Sequence, residues 1–367
     1  MKIAVQLFEA VHEPAVEAFN HRLREGRAPS AFLLPARAKP PVHRGSVTVT
    51  HHVAVDDGGE VRGGVMCVEH PAVVGGRVDR VVNVQAPLSE GILNPAFTLV
   101  GPQLIKHVVR ECPYVFVVGM GSASNPLPRL LKALGWTLHT VPFYFRLLRA
   151  GRCVRQLAPL RRPPGRRIAG TIAAFTGMAG VAAALAHRQS GVSRRAATQF
   201  EARQVDAWTA PADEVWSVFR RQVGFSVLRT TDTLPFFYPV GTGSPGAWWL
   251  MRGGRVEGWF GLLVTAMTEN PYFGNLVVAT LTDCVGTPEA LQAAVPIAAR
   301  QASLSGADLV ITNQQHRLLR ESCQAAGWRS APSNFLVATS KALTAAFDAD
   351  TAYITRRDGD GLTNLRG

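Results

Sequence analysis

Acidic residues are missing from the middle of this 367-residue chain. No Asp or Glu lies between Cys112 and Phe200, whereas the same stretch carries 13 Lys and Arg residues, a number equal to the net charge of +13. The remaining basic and acidic residues therefore balance each other. A protein that coats DNA usually spreads its basic charge over a folded face, so this uneven distribution predicts no DNA partner.

Cysteine is scarce, and the motifs of several common sites are absent. The five cysteines lie far apart and form no C-x-x-C pair, which argues against a disulfide framework or a zinc site and favours buried free thiols. There is no Walker loop or G-x-G-x-x-G sequence, and Asp358 and Asp360 lie too near the last residue for a complete calcium loop. We therefore expect no metal cofactor. The first residues lack the apolar run of a secretory signal, which predicts a cytoplasmic protein.

What the chain does contain is one order of elements, repeated. Two β-hairpin signals have Gly-Gly turns at Gly58 and Gly253, 195 residues apart. Each is followed by a β-rich run, a segment with helical periodicity, a buried strand and a short helix. These helices end in Gly-Trp at Gly135 and Gly327, 192 residues apart, and glycine suits a helix C-terminus. The repeat predicts two copies of one mixed α/β (α+β) unit; two unrelated α/β domains are the alternative.

The copies are expected at residues 1–150 and 200–345, with a basic linker at 151–199 and a tail at 346–367. Within the linker, residues 168–186 carry no charge and place their large apolar side chains at helical spacing. Eight alanines and three glycines among these nineteen residues favour a helix packed between domains over a membrane span. A span, a helix lying on the anionic inner face of a membrane and a solvated linker remain alternatives.

This element order resembles that of the GNAT (GCN5-related N-acetyltransferase) superfamily, present twice. It is also similar to the Fem-type transferases, which are tandem GNAT domains that use aminoacyl-tRNA. The tail sequence YITRRDGDG, residues 353–361, resembles the ending of GNAT-like proteins from bacterial polysaccharide gene clusters. The resemblance implies two tandem GNAT-like mixed-sheet domains joined by the basic linker.

The superfamily holds cofactor phosphates on consecutive backbone N–H groups at the start of a helix. In the first copy, Pro95, Phe97 and Gly101 match the wider pattern P-x-[YF]-x-x-x-G, whereas the equivalent residues 283–294 lack it. The resemblance implies acetyl-CoA or another acyl-CoA as the co-substrate. It also implies cofactor contacts from Gln85, Pro87, Leu88, Thr98, Val100, Gly101 and Asn125.

In such folds two neighbouring strands part, and main-chain groups in the gap stabilise the oxyanion, so the side chain still needed is a general base. The candidates in the first copy are Glu69, His70 and Glu90. In the second copy they are Asp283 and Cys284, of which Cys284 would act as a nucleophile only beside a base. Turn residues and small core residues are the competing interpretations of all five.

Three functions are consistent with these features. The first is an acyltransferase that moves an acyl group from acyl-CoA to an amine or hydroxyl of a sugar or small metabolite. The second is a Fem-like transferase that binds tRNA through the basic residues between Arg146 and Arg195. The third is a non-catalytic scaffold that binds a partner or an anionic membrane surface.

Overall fold

The fold is described from a computed structural model, whose described residues are 2–26, 33–157, 191–241 and 246–359. The predicted apolar helix at 168–186 and most of the basic linker lie outside these ranges. Within them, no helix is long and apolar enough to cross a membrane. The five cysteines are all buried and unpaired, as predicted.

Two mixed sheets form the centre of the molecule, and β-branched residues dominate their strands. The first half of the chain contributes β1 (Ile3–Leu7), β2 (Val42–Arg44), β3 (Val47–Asp56), β4 (Val61–Val74), β5 (Arg77–Ser89), β6 (Val115–Val118), β7 (Thr137–Thr140) and β8 (Phe143–Leu147). The second half contributes β9 (Glu201–Gln204), β10 (Phe225–Val227), β11 (Gly246–Arg252), β12 (Arg255–Ala266), β13 (Val277–Gly286), β14 (Leu309–Asn313), β15 (Arg329–Ala331) and β16 (Leu336–Thr339).

Helices cover these sheets and connect their strands. They are α1 (Glu13–Glu25), α2 (Val100–Glu111), α3 (Pro126–Ala133), α4 (Ala150–Gln156), α5 (Gly191–Gln199), α6 (Ala210–Phe219), α7 (Leu234–Phe237), α8 (Pro288–Leu304), α9 (Arg317–Ala325) and α10 (Lys341–Thr344). The predicted Gly-Trp helix ends are confirmed, because Gly135 and Gly327 have φ of 81° and 80° directly after α3 and α9. Trp136 and Trp328 then donate their N–H groups back to Leu131 and Cys323, which satisfies helix-end carbonyls.

The two predicted hairpins are also present and run antiparallel. β3 pairs with β4 around the Gly58-Gly59 turn, and β11 pairs with β12 around Gly253-Gly254. Gly253 and Gly254 both have positive φ, 56° and 78°, which a two-residue turn of the I′ type requires and glycine adopts without strain.

The last strands of the two copies are exchanged. The first sheet has the order β1-β3-β4-β5-β6-β16-β7, and the second has the order β15-β8-β14-β13-β12-β11-β9. β16, from the second half of the chain, therefore lies between β6 and β7, while β8, from the first half, lies between β14 and β15. β10 also crosses over and pairs with β4. The predicted ranges 1–150 and 200–345 thus each contribute strands to both sheets.

The exchange places one large core between the sheets. Buried side chains from both halves meet there, among them Val81, Phe116, Phe225, Trp259 and Tyr353. A second cluster lies on the other face of the first sheet, where Leu104, Ile105 and Val108 of α2 pack on β4, β5 and β6. One face of β5 therefore meets the core between the sheets, and its other face meets α2.

Candidate active site

Two parallel strands of the first sheet part from each other. β5 and β6 are in register only at Val82–Val115 and Asn83–Phe116. Beyond that point β5 continues to Ser89 along β4, and β6 continues to Val118 along β16. We call the gap between residues 84–89 and residues 117–118 the first slot. The ladder between β5 and β6 does not continue into these residues, as the resemblance predicts for parted strands.

A β-bulge lies on the β5 side of the first slot. The register with β4 shifts between Met66–Gln85 and Gly64–Leu88, so that two residues of β5, Ala86 and Pro87, lie opposite one residue of β4. Ala86 adopts φ of 44°, a left-handed conformation that is uncommon for alanine. A bulge leaves its extra residue unpaired and redirects the neighbouring backbone groups, and such bulges are frequent beside active sites.

Helix α2 begins beside the end of β5. Its N-cap residue, Leu99, provides no side-chain cap, and no acidic residue lies in its first turn. The N–H groups of Val100 and Gly101 therefore stand at the positive end of a twelve-residue helix without a capping side chain. This is the region that the sequence predicted to hold phosphates, and the helix start suits an anion.

The other predicted cofactor residues surround the first slot unevenly. Gln85 and Pro87 are half-buried on β5, and Thr98 is exposed just before α2. Asn125 is the N-cap residue of α3, where its side chain donates to the carbonyl of Met120. The side chain of Leu88 packs in a core cluster with α1, so it offers a ligand only its backbone.

Two of the predicted bases form ion pairs. Glu90 is buried and accepts from Arg22 Nε at 3.2 Å and from Arg62 Nη1 at 3.1 Å. Glu69 is half-buried on β4 and accepts from Arg80 Nη1 at 3.1 Å. These contacts give both carboxylates a structural partner, and Glu69 lies within β4 rather than in a turn.

His70 is fully buried in the core between the sheets. Its ring stacks on Phe237 and meets the edge of Phe236, with centroid separations of 5.6 and 5.7 Å. Burial, with a smaller contribution from the charge of Arg229, lowers the pKa of His70 to about 3. The imidazole is therefore neutral at physiological pH and packs as an aromatic residue.

The second copy has a slot at the equivalent place. β13 and β14 are in register from Val278–Leu309 to Thr280–Ile311, after which β13 continues to Gly286 along β12. Here too a bulge follows, because Leu281 pairs with Leu262 and Asp283 with Gly261. We call the gap between residues 281–286 and residues 312–313 the second slot.

The second slot is filled by the chain's own side chains. The hydroxyl of Thr312 donates across it to the carbonyl of Leu281 at 2.7 Å. The Asp283 carboxylate accepts from Arg229 Nε at 3.0 Å, and Arg229 Nη2 also binds Asp358 at 2.7 Å. Further donors to Asp283 are the hydroxyls of Tyr238, Tyr353 and Thr355, at 2.9, 2.8 and 3.0 Å respectively.

This buried polar network determines the state of the predicted catalytic pair. Asp283 is fully buried and saturated with donors. The Cys284 N–H donates to the Tyr353 hydroxyl, and burial, followed by the charge of Cys323 and Asp283, raises the pKa of the Cys284 thiol well above its ordinary value. Since the thiolate is the nucleophile, Cys284 is an inert core residue.

The start of α8, which corresponds to the start of α2, is also closed. Thr287 caps it by accepting from the Ala290 N–H, and Glu289 places a carboxylate in its first turn. Gly286 packs so closely against the backbone of Glu257 and Gly258 that a residue with a side chain would collide there. The cap occupies one N–H group of this helix start, and the Glu289 carboxylate disfavours a second anion there.

The parted strands, the bulge and the helix start that follows them decide the fold. It is the GNAT fold. No family model and no curated relative matches the sequence. Solved structures do match: a GCN5-related N-acetyltransferase from Anabaena variabilis has a TM-score of 0.52 at 9% identity, with 92% of this chain and 72% of that chain covered.

Two further solved structures cover 92% of this chain. A protein from Enterococcus faecalis, described as a probable N-acyltransferase, has a TM-score of 0.50 at 10% identity and is covered over 72% of its length. A fungal glucosamine N-acetyltransferase region within a β-N-acetylglucosaminidase has a TM-score of 0.51 at 11% identity, over 38% of that chain. At these identities the comparisons establish the GNAT fold.

Sequence reasoning did not find the partners of Asp283. Arg229, Tyr238 and Tyr353 come from segments that lie far from β13 in the sequence, and no spacing links them to it. The available signal was weak: three apolar residues, 352–354, precede the charged residues around Asp358.

Proposed function

We propose that the first copy binds acyl-CoA, with acetyl-CoA as the simplest donor, and transfers the acyl group to an amine or hydroxyl of a sugar or small metabolite. The observation that carries this proposal is the contrast at the two helix starts: α2 begins without a capping side chain beside the parted strands β5 and β6, whereas α8 begins capped beside strands that Thr312 bridges. One chain would therefore bind one acyl-CoA.

The mechanism uses mainly backbone groups. The phosphates bind the N–H groups of Val100 and Gly101, and the pantetheine arm lies between β5 and β6 like an added strand. N–H groups near the bulge at Ala86 stabilise the oxyanion that forms on the thioester carbonyl. The acceptor nitrogen or oxygen bonds to the carbonyl carbon, the C–S bond breaks, and the acceptor's proton ends on the thiolate through solvent, which gives free CoA.

The acceptor approaches from the other face of the sheet. Because α2 covers one face of β5 and carries the phosphates, the attacking atom must come from the face that bears Asn83. Glu69, His70 and Glu90 each have the structural role described above, so the proposal assigns no side-chain base and has the acceptor amine attack as its free base. The neighbour named for glucosamine acetylation makes a sugar amine the first acceptor to test.

Calorimetry with acetyl-CoA and longer acyl-CoAs tests the proposal. We expect one binding site per chain. Gly101→Glu places a carboxylate where the phosphates would lie and should weaken binding at least roughly 100-fold. The control is Glu289→Gln at the capped start of α8, which should leave binding unchanged. Absence of binding, or equal sensitivity to both variants, would contradict the proposal.

An aminoacyl-tRNA donor is the second candidate, because all of the excess positive charge lies between Arg129 and Arg195. Phosphate contacts make such binding steeply salt-dependent. The test is the ratio of absorbance at 260 and 280 nm after purification in low salt, followed by a salt titration with bulk tRNA. A protein free of RNA that also ignores added tRNA would eliminate this candidate.

A further inference from the structure

Asn83 occupies the base of the first slot. It is the last residue of β5 that is in register with β6, and it is fully buried. Its neighbours on β5, Val82 and Val84, pack in the cluster that contains α2. Because side chains alternate along a strand, Asn83 faces the opposite side, where Val81 and Phe116 belong to the core between the sheets.

The amide of Asn83 is held by one end only. Its Nδ2 donates to the backbone carbonyl of Asp358. Because a carbonyl oxygen accepts a hydrogen bond only from the NH₂ group of the amide, this contact fixes the orientation of the amide. Its Oδ1 has no hydrogen-bond partner in the part of the chain that the structure describes. The cross-strand neighbours, Val68 and Phe116, have no polar side chain to offer.

A buried amide oxygen without a partner carries a free-energy cost, and native proteins retain few of them. This oxygen lies where β5 and β6 part, next to the position that the proposed function gives to the thioester. The backbone of Asp358 and Gly359 lies beside it, and Gly359 packs so closely on Val118 that a side chain there would collide.

We propose that Asn83 Oδ1 accepts a hydrogen bond from the N–H or O–H of the acceptor and so positions the attacking atom. The inference rests on the proposed function and deepens it. A neutral amine suits this role, because its nitrogen donates one N–H to Oδ1 while its lone pair points at the thioester carbon. The C-terminal segment, through the Asp358 carbonyl, holds the amide in the required orientation.

Hydroxylamine is the probe, since it needs no recognition surface. Its nitrogen bonds to the acetyl carbon of acetyl-CoA, the C–S bond breaks, and the products are acetohydroxamate and CoA thiol, both of which are measurable. Asn83→Leu should lower hydroxylamine-dependent thiol release roughly 10- to 100-fold. The dissociation constant for acetyl-CoA, measured by calorimetry, should change less than about 3-fold, which also reports that the variant is folded.

Asn83→Asp separates positioning from structure. Both variants lose the Nδ2 bond to Asp358, but only Asp keeps an acceptor oxygen at this place. We expect Asn83→Asp, which keeps the acceptor oxygen but not the bond that orients it, to retain clearly more release than Asn83→Leu. If both variants lose activity equally, the amide has only a structural role and the inference is overturned. If Asn83→Leu does not fold, a loss of release in folded Asn83→Asp also overturns the inference, and retained release supports it.

The second copy supplies a matched control. Thr280 is the last residue of β13 in register with β14, and its hydroxyl also lacks a partner among the described residues. Thr280→Val should leave thiol release unchanged, because the second slot is filled. A wild-type protein that binds acetyl-CoA but releases no thiol to hydroxylamine also overturns the inference, whereas one that does not bind acetyl-CoA overturns the proposed function itself.

Discussion

The two slots differ in what lies between their parted strands, although their backbones are alike. In both copies the parallel pairing stops after two or three residues and a bulge follows. Three residues past the last parallel pair, the first copy has Ala86, which is exposed, and the second copy has Asp283, which is buried. The side chain at this place is therefore free of the protein's own polar network in the first copy and is the centre of that network in the second.

The difference extends beyond that residue. A buried carboxylate is costly unless it is paired, and Asp283 is paired by Arg229, which Asp358 pairs in turn. The carboxylates outweigh the effect of burial, which alone would lower the pKa of Arg229, and raise it well above its ordinary value. The two copies thus share parted strands but differ in the side chains that surround the gap.

Expressing either half of the chain alone should cause the largest loss of stability. A chain cut between Leu157 and Gly191 keeps every strand pair described here, so the two halves should remain bound and copurify as one species. Either half expressed alone lacks a neighbour for β6 or β14 and should fail to give a cooperative unfolding transition. Size-exclusion chromatography and circular dichroism would check this; a stable, monomeric half with native spectra would contradict it.

Removing the Asp283 carboxylate from the second slot should cause the next largest loss of unfolding free energy. Asp283→Ala leaves Arg229 buried with only Asp358 as an ionic partner, and breaking a buried pair costs about 3–5 kcal/mol of unfolding free energy. Chemical denaturation would measure it. The exposed pair Arg317–Glu321 is the control, since Glu321→Ala should cost no more than about 0.5 kcal/mol. Equal losses would show that the network does not stabilise the fold.

Filling the first slot should change binding rather than stability. Ala86→Asp introduces the residue of the second copy, and Asp tolerates the left-handed conformation better than Ala does. Because Ala86 is exposed, we expect unfolding free energy to change by less than about 1 kcal/mol. Acetyl-CoA binding should fall at least roughly 10-fold. Ala86→Asn, of equal size and without charge, is the control and should bind more tightly than Ala86→Asp.

Acid should weaken the core between the slots. His70 is neutral in the folded protein, with a pKa of about 3, whereas in the unfolded chain it takes up a proton below about pH 6.5. Its contribution is complete above pH 6.5 and declines as the pH falls toward 3, by about 1.4 kcal/mol per pH unit. Chemical unfolding between pH 7 and 4.5 would measure how steeply the unfolding free energy depends on pH. In His70→Phe that dependence should be weaker by about the same amount per pH unit.

Local features of the fold could be predicted from the sequence, because local residues determine them. The Gly253-Gly254 turn and the Gly-Trp helix ends depend on φ values that glycine adopts. The exchange of β8 and β16 could not be predicted in the same way. Both are short apolar strands, and nothing in either sequence distinguishes the sheet of its own copy from that of the other.

The same limit applies to the candidate site. The start of α2 could be predicted because its pattern, Pro95 to Gly101, is contiguous. Asn83 was missed because it appears as one polar residue in an apolar run, and its unpaired oxygen depends on Asp358, which is remote in the sequence. Asp283 lies inside β13, beyond its last parallel pair with β14, and its saturation with donors depends on partners that are remote in the sequence.

The placement of β16 explains why a copy with a filled slot persists. That strand borders β6 and so forms part of the frame around the opening in the first sheet, and the segment that follows it reaches Asn83. Deleting the second copy would remove a structural support of the first. The frame of the first slot is therefore built from both halves of the chain, so the second copy has a structural role whether or not it binds a ligand.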